Sequence, residues 1–391
     1  MPSPPDITIE VFGKTDVGLI REHNEDNFLV ADVTAGMRTN DIKEALKVHL
    51  GEKGALFLVC DGMGGAAAGE VASRMAVESI FDVLAAGEPQ DRDGFARAVR
   101  RAIEVANERI YVQSRDNQSE RGMGTTCTAA ALVDQTLVVG QIGDSRCYVF
   151  RGDKLAQVTK DQSLAWQLIE AGAMTAEEAK AFEHANIILQ ALGVQERVEV
   201  VLSQVALRQG DLVVLCSDGL HGPVGDDEML DMLQREPDLQ KAAEGLIQKA
   251  LDRDGPDNIT VVIARFSGPA LVPATAEDLV TFVPYDPGPG PEGDSGSSES
   301  SLEHPIVTTS TVNERVPQEL LSDEAVTAGV AEGSGRSSGS ASGSAIRTAR
   351  SVLAFFFLAL VAAAAGGIFV MKCEREQAAH SSTSEGRGGK P

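Results

Sequence analysis

The sequence predicts an α+β domain of two packed β-sheets flanked by helices, followed by one C-terminal transmembrane helix. Three observations carry that expectation. Apolar runs of strand length come in groups separated by helical pairs, without the strand-helix alternation of a doubly wound sheet. Several runs end at an Asp beside Gly or Asn, as in LVCDGMGG, LVVLCSDGL and DGPDNITVV. Residues 352–371 form a stretch of twenty without a charge.

Strands are expected at 7–13, 27–33 and 55–60, then two amphipathic helices. In the second helix Phe95, Ala98, Val99, Ala102, Ile103, Ala106 and Ile110 fall at helical spacing. Arg97, Arg100, Arg101 and Arg109 fill other positions and read as a solvated basic face. Strands follow at 127–133, 137–142, 147–151 and 155–158, then a helical insert over 163–185. Further strands near 198–205 and 211–216 lead to helices at 226–233 and 239–252 and a last strand at 259–266.

The carboxylates carry the chemistry. Asp26 in NED, Asp61, Asp218 and Asp257 each stand at the end of an apolar run, where a rigid sheet can hold ligands. Asp144, in VVGQIGDSR, follows a glycine that permits a tight turn. Five converging carboxylates repel one another, and a divalent cation is the simplest resolution. Oxygen ligands suit Mg or Mn, whereas zinc asks for His or Cys. The six His are scattered and the five Cys show no CxxC spacing. Cys60, Cys127, Cys147 and Cys216 lie in apolar runs and read as small reduced core residues.

Blander readings stand beside these. Asp-Gly is a common turn dipeptide, and Asp257-Asn258 fits a loop cap. Asp144 fits a structural ion pair with Arg146, and Arg21 a surface pair with Glu22 or Glu25. Gly62-Met63-Gly64-Gly65 lacks the Lys-Ser or Lys-Thr of a nucleotide-phosphate loop. A net charge of -24 argues against a surface that tracks nucleic-acid phosphates.

Composition divides the chain. Residues 1–267 hold the apolar periodicity, and 268–350 turn to Pro, Gly, Ser and acids, the make-up of a disordered linker. Residues 352–371 have no charge and basic flanks at Arg347, Arg350, Lys372 and Arg375. At 1.5 Å per residue that run spans about 30 Å as a helix, the thickness of a bilayer core. A short polar tail, 372–391, ends the chain. The first residues show no secretory signal, which places the large domain on the cytoplasmic side of a cell membrane.

These motifs together resemble the PP2C (PPM) family of metal-dependent protein serine/threonine phosphatases, in its bacterial form. The matching pieces fall in family order: Gly18-Leu19-Ile20-Arg21 with Asn24-Glu25-Asp26, Asp61-Gly62-Met63-Gly64-Gly65, Gly124-Thr125-Thr126, Gly143-Asp144-Ser145-Arg146, Ser217-Asp218-Gly219-Leu220 and Asp257-Asn258-Ile259-Thr260. The resemblance implies an α-β-β-α sandwich with two Mn or Mg ions, and a third in some bacterial members, at one edge of the sheets. By the same resemblance Asp61 bridges two metals, the Gly62 carbonyl ligates one, and Asp218 and Asp257 complete the other. Glu25 and Asp26 look like the pair that holds metal-bound waters, and Asp144 with Asp218 resembles the third-metal site. Arg21 matches the arginine that grips the substrate phosphate.

The implied reaction is hydrolysis of phosphoserine or phosphothreonine in proteins by a water activated between two metals, opposing Ser/Thr kinases, with no phosphoenzyme. Catalysis then falls to Arg21, Asp61 and Asp218. The chain departs from the family at Met63, where some eukaryotic members have His. Asp161-Gln162-Ser163 and Gln190-Ala191-Leu192-Gly193 replace Asp-His-Ser and Arg-Ala-Leu-Gly beside the segment that resembles the family's flap. Two other functions fit less well: a catalytically inactive scaffold, and a phosphatase of small phosphate esters.

Overall fold

Strand β5, Ala55–Cys60, is buried at every residue, and the reason lies in what covers its two faces. Leu56, Leu58 and Cys60 pack toward helices α1 (Ala68–Ala86) and α2 (Arg92–Asp116), while Phe57 and Val59 face a second sheet. A strand covered on both sides reads as a continuous apolar run instead of an alternation.

The computed structural model describes residues 6–64, 68–88, 91–180, 182, 184–275 and 277–289, which belong to one compact unit. The expected span 352–371, most of the linker and the tail lie outside the described residues. Among those described, no helix is long and apolar enough to cross a membrane.

One sheet joins β5 to β2 (Asn27–Asp32), β3 (Met37–Thr39), β8 (Cys127–Val133), β9 (Thr136–Ile142) and β12 (Val201–Ala206), in the order β12-β9-β8-β5-β2-β3. The other joins β1 (Thr8–Asp16), β4 (Leu46–His49), β10 (Arg146–Arg151), β11 (Lys154–Gln157), β13 (Leu212–Cys216) and β14 (Ile259–Ser267), in the order β11-β10-β13-β14-β1-β4. Two short strands, β6 (Gly62–Met63) and β7 (Gly124–Thr125), pair by themselves. Helices α6 (Asp226–Arg235) and α7 (Leu239–Leu251) cover the outer face of the second sheet, and the layers run helix, sheet, sheet, helix. The expected insert is two short helices, α3 (Leu164–Glu170) and α4 (Ala176–Lys180). The SDGL motif opens a single helical turn, α5 (Asp218–His221).

The largest difference from expectation lies after β14. Residues 268–275 and 277–289, whose composition reads as linker, run along the domain as a strap. Leu271 enters the core, 4% exposed, and Asp278 pairs with Arg208 at 2.8 Å. Pro284 bridges Ser203, and the Tyr285 N–H donates to the Leu202 carbonyl at 2.9 Å, which covers the open edge at β12. Beyond it Asp286 pairs with Arg100, and Arg97 donates to the Pro287 carbonyl. Two arginines of the expected solvated face of α2 therefore hold the strap.

Candidate active site

Register brings the acids to one end of both sheets. Asn27 opposes Cys60 and Cys127 opposes Ile142, so Asp26, Asp61 and the Gly143-Asp144 turn share an edge. In the second sheet Arg146 opposes Cys216 and Asp16 opposes Ile259, which brings Asp218 and Asp257 to its corresponding edge.

Asp26 is 5% exposed and is held through one oxygen. Its Oδ2 accepts from the hydroxyls of Ser217 and Thr260, each at 2.7 Å. Thr260 has then spent its proton, so the Thr15 hydroxyl, 2.7 Å away, donates to it and itself accepts from Asn24 Nδ2 at 2.8 Å. Ser217 Oγ accepts in turn from the Thr260 N–H at 3.0 Å. The directions of this chain deliver two protons to Oδ2, while Oδ1 is buried without a partner.

Asp61 is fixed through its backbone. Its N–H donates to the Thr126 hydroxyl at 2.9 Å, and its carbonyl accepts from the Thr126 N–H and the Thr125 hydroxyl, both at 2.8 Å. That is the work of the Gly124-Thr125-Thr126 motif. Gly62 follows because nothing larger fits: a Cβ there would lie 2.3 Å from the Gly69 carbonyl oxygen and 2.5 Å from that of Glu25. The Gly62 N–H donates to the Glu25 carbonyl, and the Glu25 carboxylate receives the Gly69 N–H in the first turn of α1.

Asp144 makes no pair with Arg146. The guanidinium closes on Asp161 instead, with Nη2 to Oδ2 at 2.7 Å and Nε within 3.0 Å of both oxygens. Asp144 Oδ1 is left buried and unpartnered, as is Asp218 Oδ1. Arg21 pairs neither with Glu22 nor with Glu25: its Nη2 donates to Asp257 Oδ2 at 2.7 Å, at a half-exposed rim.

Electrostatics tie the group together. Burial, then the charges of Asp218 and Asp257, push Asp26 up to about 7, against the pull of its hydroxyl donors. Burial and Asp218 push Asp144 up to about 8. Asp61 is driven well up by burial and by Asp26, Asp218 and Asp144, and burial raises Asp218 while its hydrogen bond with Asp61 opposes the shift. Asp61 and Asp218 are crowded by neighbouring atoms yet keep partial contact with solvent. Among the described residues no three Asp, Glu, His or Cys side chains are drawn onto one metal-sized point. The donor set nevertheless fits a hard divalent cation, because three buried carboxylate oxygens lack any partner and every available donor is oxygen. A cavity of about 290 Å³ lined by Arg151, Lys154, Leu230 and Leu279 shares no residue with this group.

Nothing in the sequence marks the roles of Thr15, Thr126, Ser217 and Thr260. Three of them stand inside quoted motifs, but only the cross-strand register reveals what they hold.

Residues 35–260 match the family model described as Protein phosphatase 2C, a span that starts after Arg21, Glu25 and Asp26. The chain is 35% identical over 259 residues to the serine/threonine phosphatase stp of Listeria welshimeri, covering 64% of this chain and 94% of that one. It is also 35% identical over 258 residues to the serine/threonine protein phosphatase PstP of Mycobacterium tuberculosis, covering 66% of this chain and 45% of that protein. The fold matches the crystal structure of a PstP catalytic domain in complex with two manganese ions, with a TM-score of 0.55 and 34% identity over 67% of this chain and 99% of that one. On motifs, layers and similarity alike, the chain belongs to the protein phosphatase 2C family.

Proposed function

We propose that this chain hydrolyses phosphoserine and phosphothreonine in proteins and so reverses Ser/Thr kinase signalling, with kinases and their substrates as its phosphorylated partners. The observation that carries the reading is the set of unpartnered oxygens on Asp26, Asp144 and Asp218, gathered at the sheet ends in a chain of this family. Asp61, the Gly62 carbonyl, Asp218 and Asp257 would hold two Mn or Mg ions, with Glu25 and Asp26 beside them and Asp144 with Asp218 for a third. Ions bound there supply Lewis acidity and a nucleophilic water at neutral pH.

The protein's own part is to gather and orient. Arg21 offers a planar fork that matches two phosphate oxygens, and its exposed position at the rim suits a group that must meet a protein substrate. Cysteine catalysis does not fit. The hydrogen bond with Cys127 and burial hold the Cys60 thiol well above its usual range, and burial does the same at Cys216. Nor is His221 a proton donor at neutral pH, since burial pushes it down to about 3.

The apolar run 352–371 supports a single membrane span. Deleting that run should move the protein from the membrane to the soluble fraction.

The activity is tested on the full chain with a phosphothreonine peptide, in Mn or in EDTA, beside Asp218→Asn. Metal-dependent phosphate release that the substitution abolishes is the expected result. A folded protein that releases no phosphate with any divalent metal refutes the proposal.

A further inference from the structure

We propose that Asn258 is a positioning residue for Arg21, its side-chain amide clasping the two feet of the loop whose apex carries the guanidinium. The inference rests on the reading of Arg21 as the phosphate-binding residue. Asn258 is 5% exposed, and its Nδ2 donates to the carbonyls of Val17 and His23, both at 2.9 Å. Its Oδ1 accepts the Glu25 N–H at 2.8 Å. One amide thus spends both of its protons on opposite ends of one loop.

Between those feet the loop has little else to fix it. Leu19 and Ile20 are 64% and 68% exposed, so their packing does not set the turn. Two backbone contacts remain: the Gly18 N–H donates to Asp16 Oδ1 at 2.9 Å, and the Leu19 N–H, on the Asn258 side of the site, donates to the Gly255 carbonyl at 2.8 Å. Gly18 permits the approach. Its φ is +78°, and a Cβ on it would lie 2.2 Å from the Asp257 carbonyl oxygen. Asp257, the neighbour of Asn258 in sequence, is the residue that Arg21 touches at 2.7 Å. Asn258 and the residue before it therefore set how far the guanidinium stands from the carboxylates. A guanidinium that is no longer held in that position grips the two phosphate oxygens less well, which weakens substrate binding before it touches the chemical step.

The test uses the full chain and a phosphothreonine peptide with Mn, comparing wild type, Asn258→Asp, Arg21→Ala and the double variant. Asn258→Asp keeps the size and the acceptor for Glu25 N–H but turns a carboxylate oxygen toward two carbonyls. KM is expected to rise about tenfold with a smaller change in kcat. In the Arg21→Ala background the same substitution should leave KM nearly unmoved, because the group it positions is gone. Gly18→Ala, which keeps the Asn258 side chain but pushes the loop off the Asp257 carbonyl, should reproduce the shift in KM. Amide hydrogen exchange over 17–25 should quicken in Asn258→Asp while the sheets keep their protection.

An additive effect in the double variant, or an unchanged KM in folded Asn258→Asp, overturns the inference and leaves the phosphatase reading standing. A wild-type chain without metal-dependent hydrolysis overturns that reading and takes the inference with it.

Discussion

Asp26 shows how a single carboxylate is prepared for a cation. Two hydroxyls saturate Oδ2, burial raises the energy of the charge, and Oδ1 has no protein partner. A hydroxyl that donates to a carboxylate favours its ionised form, so Ser217 and Thr260 oppose the proton that burial would otherwise retain. Outer partners of this kind orient ligands and tune their basicity. Thr260→Val keeps the shape and removes one donor, and Ser217→Ala removes the other. Each is expected to weaken Mn binding about tenfold in a calorimetric titration. Unchanged affinity in both would mean that the hydroxyls serve the fold and not the site. Arg146 acts similarly at a distance: by closing on Asp161 it leaves Asp144 without a cation of its own.

Among the elements, the strap after β14 has the clearest consequence. It buries Leu271, covers the edge at β12 and pins α2 through Arg97 and Arg100. An open edge strand is a liability for association, and loss of a buried leucine is worth roughly 2–4 kcal/mol. A chain ending at residue 267 should therefore melt several degrees below one ending at residue 289, by roughly the shift such a loss implies. Equal melting temperatures would show that the strap contributes nothing to the domain. Composition hid it, because its prolines mimic a linker and its partners, Arg208, Ser203, Arg100 and Arg97, are remote in sequence. The central strands were legible for the opposite reason: β5 and β13 are buried throughout and read as unbroken apolar runs. The edge strands β3 and β4 are mostly exposed and only three and four residues long, too short for a pattern to stand out. The acids of the site were legible because each closes a motif. Their hydroxyl partners were not, since Thr15 meets Thr260 only through the β1–β14 register.

For the molecule as a whole, acids enclosed at one end couple stability to both pH and metal. In the unfolded chain an Asp titrates near about 4. In the folded chain Asp26 holds its proton up to about 7 and Asp144 up to about 8, both through burial first, and Asp61 and Asp218 shift the same way. Between those limits the native state binds more protons than the unfolded one, so stability falls as pH rises. Carboxylates shifted the other way, such as Glu228 beside Arg253 and Asp278 beside Arg208, titrate below this window, and His221, pushed down by burial to about 3, opposes the slope only below its ordinary value and as one group against four. A divalent cation competes with those protons, and the competition eases as pH rises. The EDTA-treated chain should then melt lower at about pH 8 than at about pH 5, and Mn should raise its melting temperature far more at the higher pH. A melting temperature that stays flat in EDTA would mean that these carboxylates titrate like surface acids, with no enclosed charge for a metal to relieve.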